Sequence, residues 1–200
     1  MLVRNWLIAG PFGGPGAEKF KADLGGTVPG TNKDMKLVGR EFCEAATYEP
    51  DNGKVDFQAV YKGSSITGYW PDPREVRWKP ATVADLDTRV ILGTSAQVWY
   101  GATWIRVPAE TELEFRFQGH QMTHFRWTLN GQPIAIADKE YVSEKVHSRT
   151  VAVKKLKLKE GWNQIMFRGY CVGYPHFRAG LELNAPPEKL WTLSLSGTPH

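Results

Sequence analysis

The sequence predicts an all-β chain folded as an antiparallel two-layer β-sandwich, and three observations predict it. The first is composition: 20 Gly, 13 Pro and 24 aromatic residues (8 Trp, 7 Tyr, 9 Phe) in 200 residues. Gly and Pro break helices and make turns, whereas aromatic side chains suit a pleated, half-buried surface. The second is a period-2 alternation that strengthens from Gln97 onward. The third is regular turn chemistry between the alternating runs, with neither a βαβ rhythm nor a long amphipathic helix.

Trp6–Ala9 reads as a short strand halted by Gly10-Pro11. Ala17 to about Trp78 carries many breakers and weak periodicity, and reads as long loops with short strands or a helical turn, an irregular N-terminal cover over one end of the sandwich. Val83–Leu92 reads as an extended connection with a short strand. In Trp99–Val107 alternate residues can face in and out until Pro108. Glu112–Gln118 places Leu113, Phe115 and Phe117 on one face and Glu112, Glu114 and Arg116 on the other. His124–Leu129 groups Phe125, Trp127 and Leu129, and Asn130-Gly131 follows as a strong hairpin signal, returning through Ile134–Ala137. Thr150–Leu158 and Gln164–Tyr170 flank the turn Glu160-Gly161-Trp162-Asn163, with Trp162 expected to plug the core. Phe177, Ala179, Leu181 and Leu183 form the last strand before Pro186-Pro187. The division is one sandwich domain over 1–200, with an irregular part at 1–80, the main strands at 81–186 and a tail or linker at 187–200.

Composition narrows the function classes. A net charge of +4 arises from interleaved Lys/Arg and Asp/Glu, without the basic stripe or module of a nucleic-acid binder. No apolar run reaches the roughly 20 residues of a membrane helix, and the first residues do not form a secretory signal. Met1 is thus either a cytosolic start or the head of a mature or excised piece. Cys43 and Cys171 allow a disulfide if the chain is exported, or two thiols if it is not. Gly63–Gly68 lacks nucleophile-elbow spacing, and Gly13–Lys19 matches neither a phosphate loop nor a dinucleotide fingerprint. Carboxylates are plentiful, but nothing singles out a glycosidase pair. His120 and His124 stand four apart before a strand, with no third metal ligand near in sequence.

Five segments, in order, carry a family resemblance: Trp6-Leu7-Ile8-Ala9-Gly10-Pro11-Phe12, Val76-Arg77-Trp78, Thr103–Pro108, Trp127-Thr128-Leu129-Asn130-Gly131 and Leu158–Ile165. Together they resemble the galactose-binding-like jelly-roll modules that accompany catalytic domains in bacterial secreted glycoside hydrolases and related extracellular proteins. The resemblance implies a non-catalytic carbohydrate-binding-type module, extracellular or periplasmic, that positions an attached enzyme on a polysaccharide or oligosaccharide. A structural module packing on a neighbouring domain or subunit is the other reading. No cofactor is implied. Many relatives carry an acidic stretch before the hairpin, but here that place holds Gly119-His120-Gln121-Met122-Thr123-His124, which lacks the hard oxygen ligands calcium prefers.

The aromatics fall into two groups. Phe115, Phe117, Phe125, Trp127, Phe167 and Phe177 have core parity. Trp70, Trp99, Tyr100, Tyr170, Tyr174 and His176 stand in or beside turns, where sandwich proteins build binding sites. They form the candidate sugar site, with His120 and His124 as further polar partners. Arg116, Arg126, Arg168 and Arg178 share the outward parity, fitting either a solvated face of cross-strand ion pairs or a surface for carboxylated or sulfated polysaccharide.

Overall fold

A computed structural model describes residues 1–12, 50, 55–63, 74–83, 90–93, 97–120, 123–143, 149–171 and 177–199. Fourteen strands account for most of them: β1 (Asn5–Phe12), β2 (Val60–Gly63), β3 (Arg74–Arg77), β4 (Lys79–Thr82), β5 (Val90–Gly93), β6 (Gln97–Val107), β7 (Thr111–His120), β8 (Thr123–Leu129), β9 (Gln132–Ile134), β10 (Val142–Ser143), β11 (Arg149–Leu158), β12 (Gly161–Cys171), β13 (Phe177–Asn184) and β14 (Ser194–Ser196). One helical turn, α1 (Pro187–Leu190), precedes β14. No helix among the described residues is long and apolar enough to cross a membrane.

The larger sheet runs β4-β1-β6-β12-β8-β9, with β14 also on β6, and the smaller runs β10-β11-β7-β13-β5. Successive long strands from β5 to β8 and from β11 to β13 cross between the sheets, the winding of a jelly roll. The predicted sandwich is present, and the inward parity of Leu113, Phe115, Phe117, Trp127, Ile165, Phe167 and Ala179 is as read, while the Phe177 side chain lies outside the described residues. Phe115, Phe117, Trp127, Ile165, Phe167 and Leu181 meet between the sheets as a buried core. Phe167 makes edge-on contacts there with Trp6, Phe125 and Trp127. Such pairs add about 0.5–1.5 kcal/mol each beyond their area burial.

The turn motifs are fastened to each other. Asn130 (φ 51°) and Gly131 (φ 78°) form the β8–β9 turn, both in the left-handed region that a two-residue hairpin of the primed type demands. The Asn130 side chain donates to Asn163 Oδ1 (3.0 Å) and accepts from the Gln164 backbone N–H (2.9 Å). Asn163, fully buried, also accepts from Lys159 N–H and donates to the carbonyls of Lys159 and Gly161. The Leu-Asn-Gly and Gly-Trp-Asn segments are two halves of one hydrogen-bonded lock.

Several boundaries differ from the sequence reading. β1 continues through Gly10-Pro11 because a register shift between Ala9 and Phe12 absorbs an extra residue. Gly10 (φ 152°) lies so close to Trp99 that an added Cβ would meet the indole at 2.5 Å. β1, read as a short strand over Trp6–Ala9, extends over Asn5–Phe12, and it and β4 belong to the larger sheet. The tail read as a linker supplies β14, paired Ser194↔Arg106 to Ser196↔Trp104. β6 therefore changes partner along one edge from β1 to β14. At the junction, Thr103 Oγ1 lies 3.0 Å from the Asn5 carbonyl and 3.1 Å from that of Ser196. β9 lies earlier than expected, ending at Ile134 where the return strand was read to begin, whereas β12 starts early enough to include Trp162 and Asn163.

The cover expected from the N-terminal part of the chain lies on a sheet face rather than over one end of the sandwich, and it contains a regular two-stranded sheet. β2 and β3 form a two-stranded sheet and, with residues 55–59, cover part of the outer face of the larger sheet. Leu7, Phe12, Tyr61, Trp78, Tyr100 and Trp104 are buried in this second core. Trp162, expected inside the sandwich, packs against this outer cluster, because β12 parity places it with Met166 rather than with Ile165.

Candidate functional site

β6, β12 and β8 lie side by side in the larger sheet. Their outward residues Trp104, Gln164, Met166, Arg168, Thr128 and Arg126 line a groove of about 760 Å³. Pro50, Val55 and Phe57 line it as well, as do the Asn130-Gly131 turn and Pro133. The lock between the two turns fixes the spacing of β8 and β12 at this end of the groove.

Apolar packing and polar groups are both fixed here. The Phe57 ring meets Trp104 edge-on at 5.0 Å and Trp78 at 4.9 Å. Trp78 donates to the Tyr61 hydroxyl (3.2 Å), which donates to the Asp56 carbonyl (2.7 Å). The wall bearing Phe57 is thereby tied to the second core. Arg168, only 5 % exposed, donates from Nε to the Tyr100 hydroxyl at 3.2 Å. Arg126, exposed, is its direct cross-strand partner. Thr128 and Gln164 add a hydroxyl and an amide beside the Met166 thioether. Among the described lining residues there is no Asp or Glu, and hence no carboxylate pair for glycoside hydrolysis. The groove is equipped to bind: an apolar floor for C–H faces, amide and hydroxyl groups for hydroxyls, and guanidinium groups for anions.

The aromatic and histidine candidates have separate fates. Trp70, Tyr174 and His176 lie outside the described residues, as does Cys43. Tyr100 is fully buried, its ring edge-on to Phe12 at 5.3 Å. It offers no ring face to a sugar, and its hydroxyl instead holds Arg168. Trp99 is half-buried and packs toward the main core over Gly10. His120 ends β7 in the smaller sheet, whereas His124 opens β8 in the larger one, half-buried and opposite Tyr170. The backbones of Trp99, Tyr170, His120 and His124 therefore converge on one end of the sandwich. Among the described residues, no three His, Cys, Asp or Glu side chains gather as metal ligands.

The four outward arginines belong to two surfaces. Arg116 pairs with Glu182 at 3.3 Å on the smaller sheet, which also carries Arg178. Arg126 and Arg168 are on the larger one. The sequence reading missed Trp104, Thr128, Gln164 and Met166 as groove residues. Their signal was present in the outward parity of β6, β8 and β12, whose adjacency no single segment discloses.

No protein-family model matches the chain, and no curated protein does. Solved structures with local similarity include a family 35 carbohydrate binding module from an environmental isolate. It is 9% identical over 52% of this chain and 72% of its own, with a TM-score of 0.36. A β-glucosidase from Kluyveromyces marxianus in complex with glucose is 20% identical with a TM-score of 0.33. That match covers 46% of this chain and spans 12% of the enzyme.

Proposed function

We propose that the chain is a non-catalytic carbohydrate-binding-type module of an extracellular or periplasmic protein, holding a polysaccharide so that an attached enzyme works on it. The observation that carries this reading is the groove on the larger sheet, with its apolar floor, its row of Thr128, Gln164 and Arg126, and no carboxylate among its described lining residues. A cleft of this size takes a short run of sugar units, whose C–H faces suit Met166 and Phe57. The loop-end residues Trp70, Tyr170, Tyr174, His176, His120 and His124 remain the proposed second contact, with Trp99 at its base.

Glycan-array screening and affinity electrophoresis of the whole chain test the proposal. At least one polysaccharide is expected to retard it. Gln164→Ala with Met166→Ala should abolish the retardation if the groove binds, and Trp70→Ala with Tyr174→Ala if the loop end binds. Complete absence of retardation by every neutral and acidic polymer would falsify the proposal. A second reading, a structural module packed on a neighbour, is favoured by one observation: Trp191, after α1, is 85% exposed. Trp191→Ser would then weaken co-purification with the neighbouring domain and leave glycan binding unchanged.

A further inference from the structure

We infer that Asn130 is a modification site whose deamidation is held in check by the lock between the two turns, whatever the groove binds. In an Asn-Gly pair the asparagine amide is open to attack from its own backbone, because glycine puts no side chain beside the attacking nitrogen. Here that nitrogen is accessible. Asn130 and Gly131 are both exposed, and a Cβ built on Gly131 would meet nothing within 4 Å. Among the described residues the Gly131 N–H donates no hydrogen bond, so solvent base can take its proton. The amide is the restrained partner. Asn130 Nδ2 donates to Asn163 Oδ1 (3.0 Å), and its Oδ1 accepts from the Gln164 N–H (2.9 Å). The Asn130 backbone N–H donates to the Gln164 carbonyl (2.8 Å). Closing a ring onto Gly131 N turns the side chain and the following peptide relative to each other, and these three bonds to β12 oppose that turn.

When the lock opens, the Gly131 nitrogen adds to Asn130 Cγ. The N–Cγ bond forms, the Cγ–Nδ2 bond breaks, and ammonia leaves with the proton that the nitrogen gave up. Water then opens the imide at either carbonyl, giving aspartate or isoaspartate, and no oxidant or reductant is needed. Both products lack the Nδ2 donor. Aspartate puts a carboxylate oxygen in its place, opposite Asn163 Oδ1, which is also an acceptor. Asn163 cannot turn its amide over in response. It is fully buried, its Oδ1 accepts from the Lys159 N–H, and its Nδ2 serves the carbonyls of Lys159 and Gly161. Two acceptors facing one another with no proton between them are worse than a bond merely absent. Isoaspartate routes the main chain through Cγ and lengthens a turn whose geometry depends on having two residues. A single opening that ends in chemistry thus prevents the lock from forming again. It also brings a carboxylate to the turn end of a groove whose described lining holds no Asp or Glu.

The whole chain is held at mildly alkaline pH in buffer and in concentrated urea, then digested with trypsin under weakly acidic conditions, where the reaction stalls. The peptide Trp127–Lys139 carries Asn130, and its mass and retention distinguish asparagine, aspartate and isoaspartate. Asn52-Gly53, the other such pair in the sequence, calibrates the unfolded rate. In urea the two pairs are expected to react at similar rates. In buffer Asn130 is expected to react at least about tenfold more slowly than in urea, as a site that reacts only from an opened state does. Asn163→Ala, shown to be folded by its melting transition, should react in buffer about fivefold or more faster than the parent. Asn130→Asp, made directly, should lower the urea midpoint by about 0.5 M or more, a readout that needs no Asn163 variant. Equal rates in buffer and urea overturn the inference, and so does an Asn130 that stays intact in urea while Asn52 reacts. A folded Asn163→Ala chain that reacts no faster than the parent overturns the role of the lock. An Asn130→Asp chain that unfolds where the parent does overturns the claim that the modified turn cannot lock again.

Discussion

Replacing Asn163 by Ala removes the centre of the lock between the two turns. Asn163 is fully buried, and its amide takes part in four hydrogen bonds: from Asn130 Nδ2 and Lys159 N–H, and to the carbonyls of Lys159 and Gly161. At roughly 1 kcal/mol net for each bond, the upper limit is about 4 kcal/mol. Lys159 is exposed and Gly161 half-buried, so water can serve some of the abandoned backbone groups, which lowers the expected loss to about 2–3 kcal/mol. With a urea dependence of about 2–3 kcal/mol/M for a domain of this size, the unfolding midpoint should fall by about 1 M. Tryptophan fluorescence during equilibrium urea unfolding reads that shift. Asn130→Gly preserves the left-handed backbone and deletes only the side chain, so a double-mutant cycle with Asn163→Ala should show a coupling of about 1 kcal/mol. A midpoint shift under ~0.3 M at unchanged slope, or strict additivity of the two variants, would refute the idea that the turns are fastened to each other.

Three further outcomes follow from other contacts. Gly101→Ala places a Cβ 2.2 Å from Phe167 Cε1, and Phe167 is held by three aromatic neighbours. The loss should be about 3 kcal/mol, seen as a fall in melting temperature of roughly 6–12 °C. Tyr61→Phe strips a hydroxyl that serves both Trp78 and Asp56; about 1–2 kcal/mol should be lost in chemical denaturation, without change in the far-UV spectrum. Glu140 is held below its ordinary value of 4.5, chiefly by the side-chain hydrogen bond from Lys154 and then by the Ala137 N–H. A depressed carboxylate stabilises the fold above its unfolded value and loses that contribution as pH falls through the folded one. Glu140→Gln should therefore lower the urea midpoint at pH 7, and the gap from the parent should close as pH is taken below 4.5. A gap that persists unchanged into acid would show that the ion pair does not carry the effect.

Strand identity and parity were legible because they are local. Leu113, Phe115 and Phe117 against Glu112, Glu114 and Arg116 can be read from six consecutive residues, and Phe125, Trp127 and Leu129 from a run as short. Asn130-Gly131 announced its turn because few residues tolerate two positive φ angles in succession. That the N-terminal part covers the sandwich was legible, but which face it covers was not, for a nonlocal reason. β6 is apolar on both parities, Val98, Tyr100, Ala102 and Trp104 on one and Trp99, Ile105 and Val107 on the other. A strand of that kind must be covered on both faces. The pattern demands a cover on the outer face, but β2 and β3, four residues each, are too short for alternation to stand out from loop sequence and to show which face the N-terminal cover takes. Tyr100 was read as a loop-end sugar contact for this reason, when its ring lies under that cover. The groove needs the adjacency of β6, β12 and β8, which is set by pairing across tens of residues rather than by any motif.

The change of partner along β6 has a consequence for how the chain is made. The same strand edge receives β1, which precedes β6 in the chain, and β14, which follows it, and a single hydroxyl on Thr103 spans the seam between them. A nascent chain can therefore dock its early strand while residues 194–196 are still inside the ribosome, leaving Trp104 to Arg106 with open backbone donors and acceptors. That interval is an exposure hazard, since an unpaired edge next to buried aromatics is a template for another chain. Closing it joins Thr103 to Ser196, 93 residues apart, so that step of folding should be governed by loop closure rather than by local strand formation.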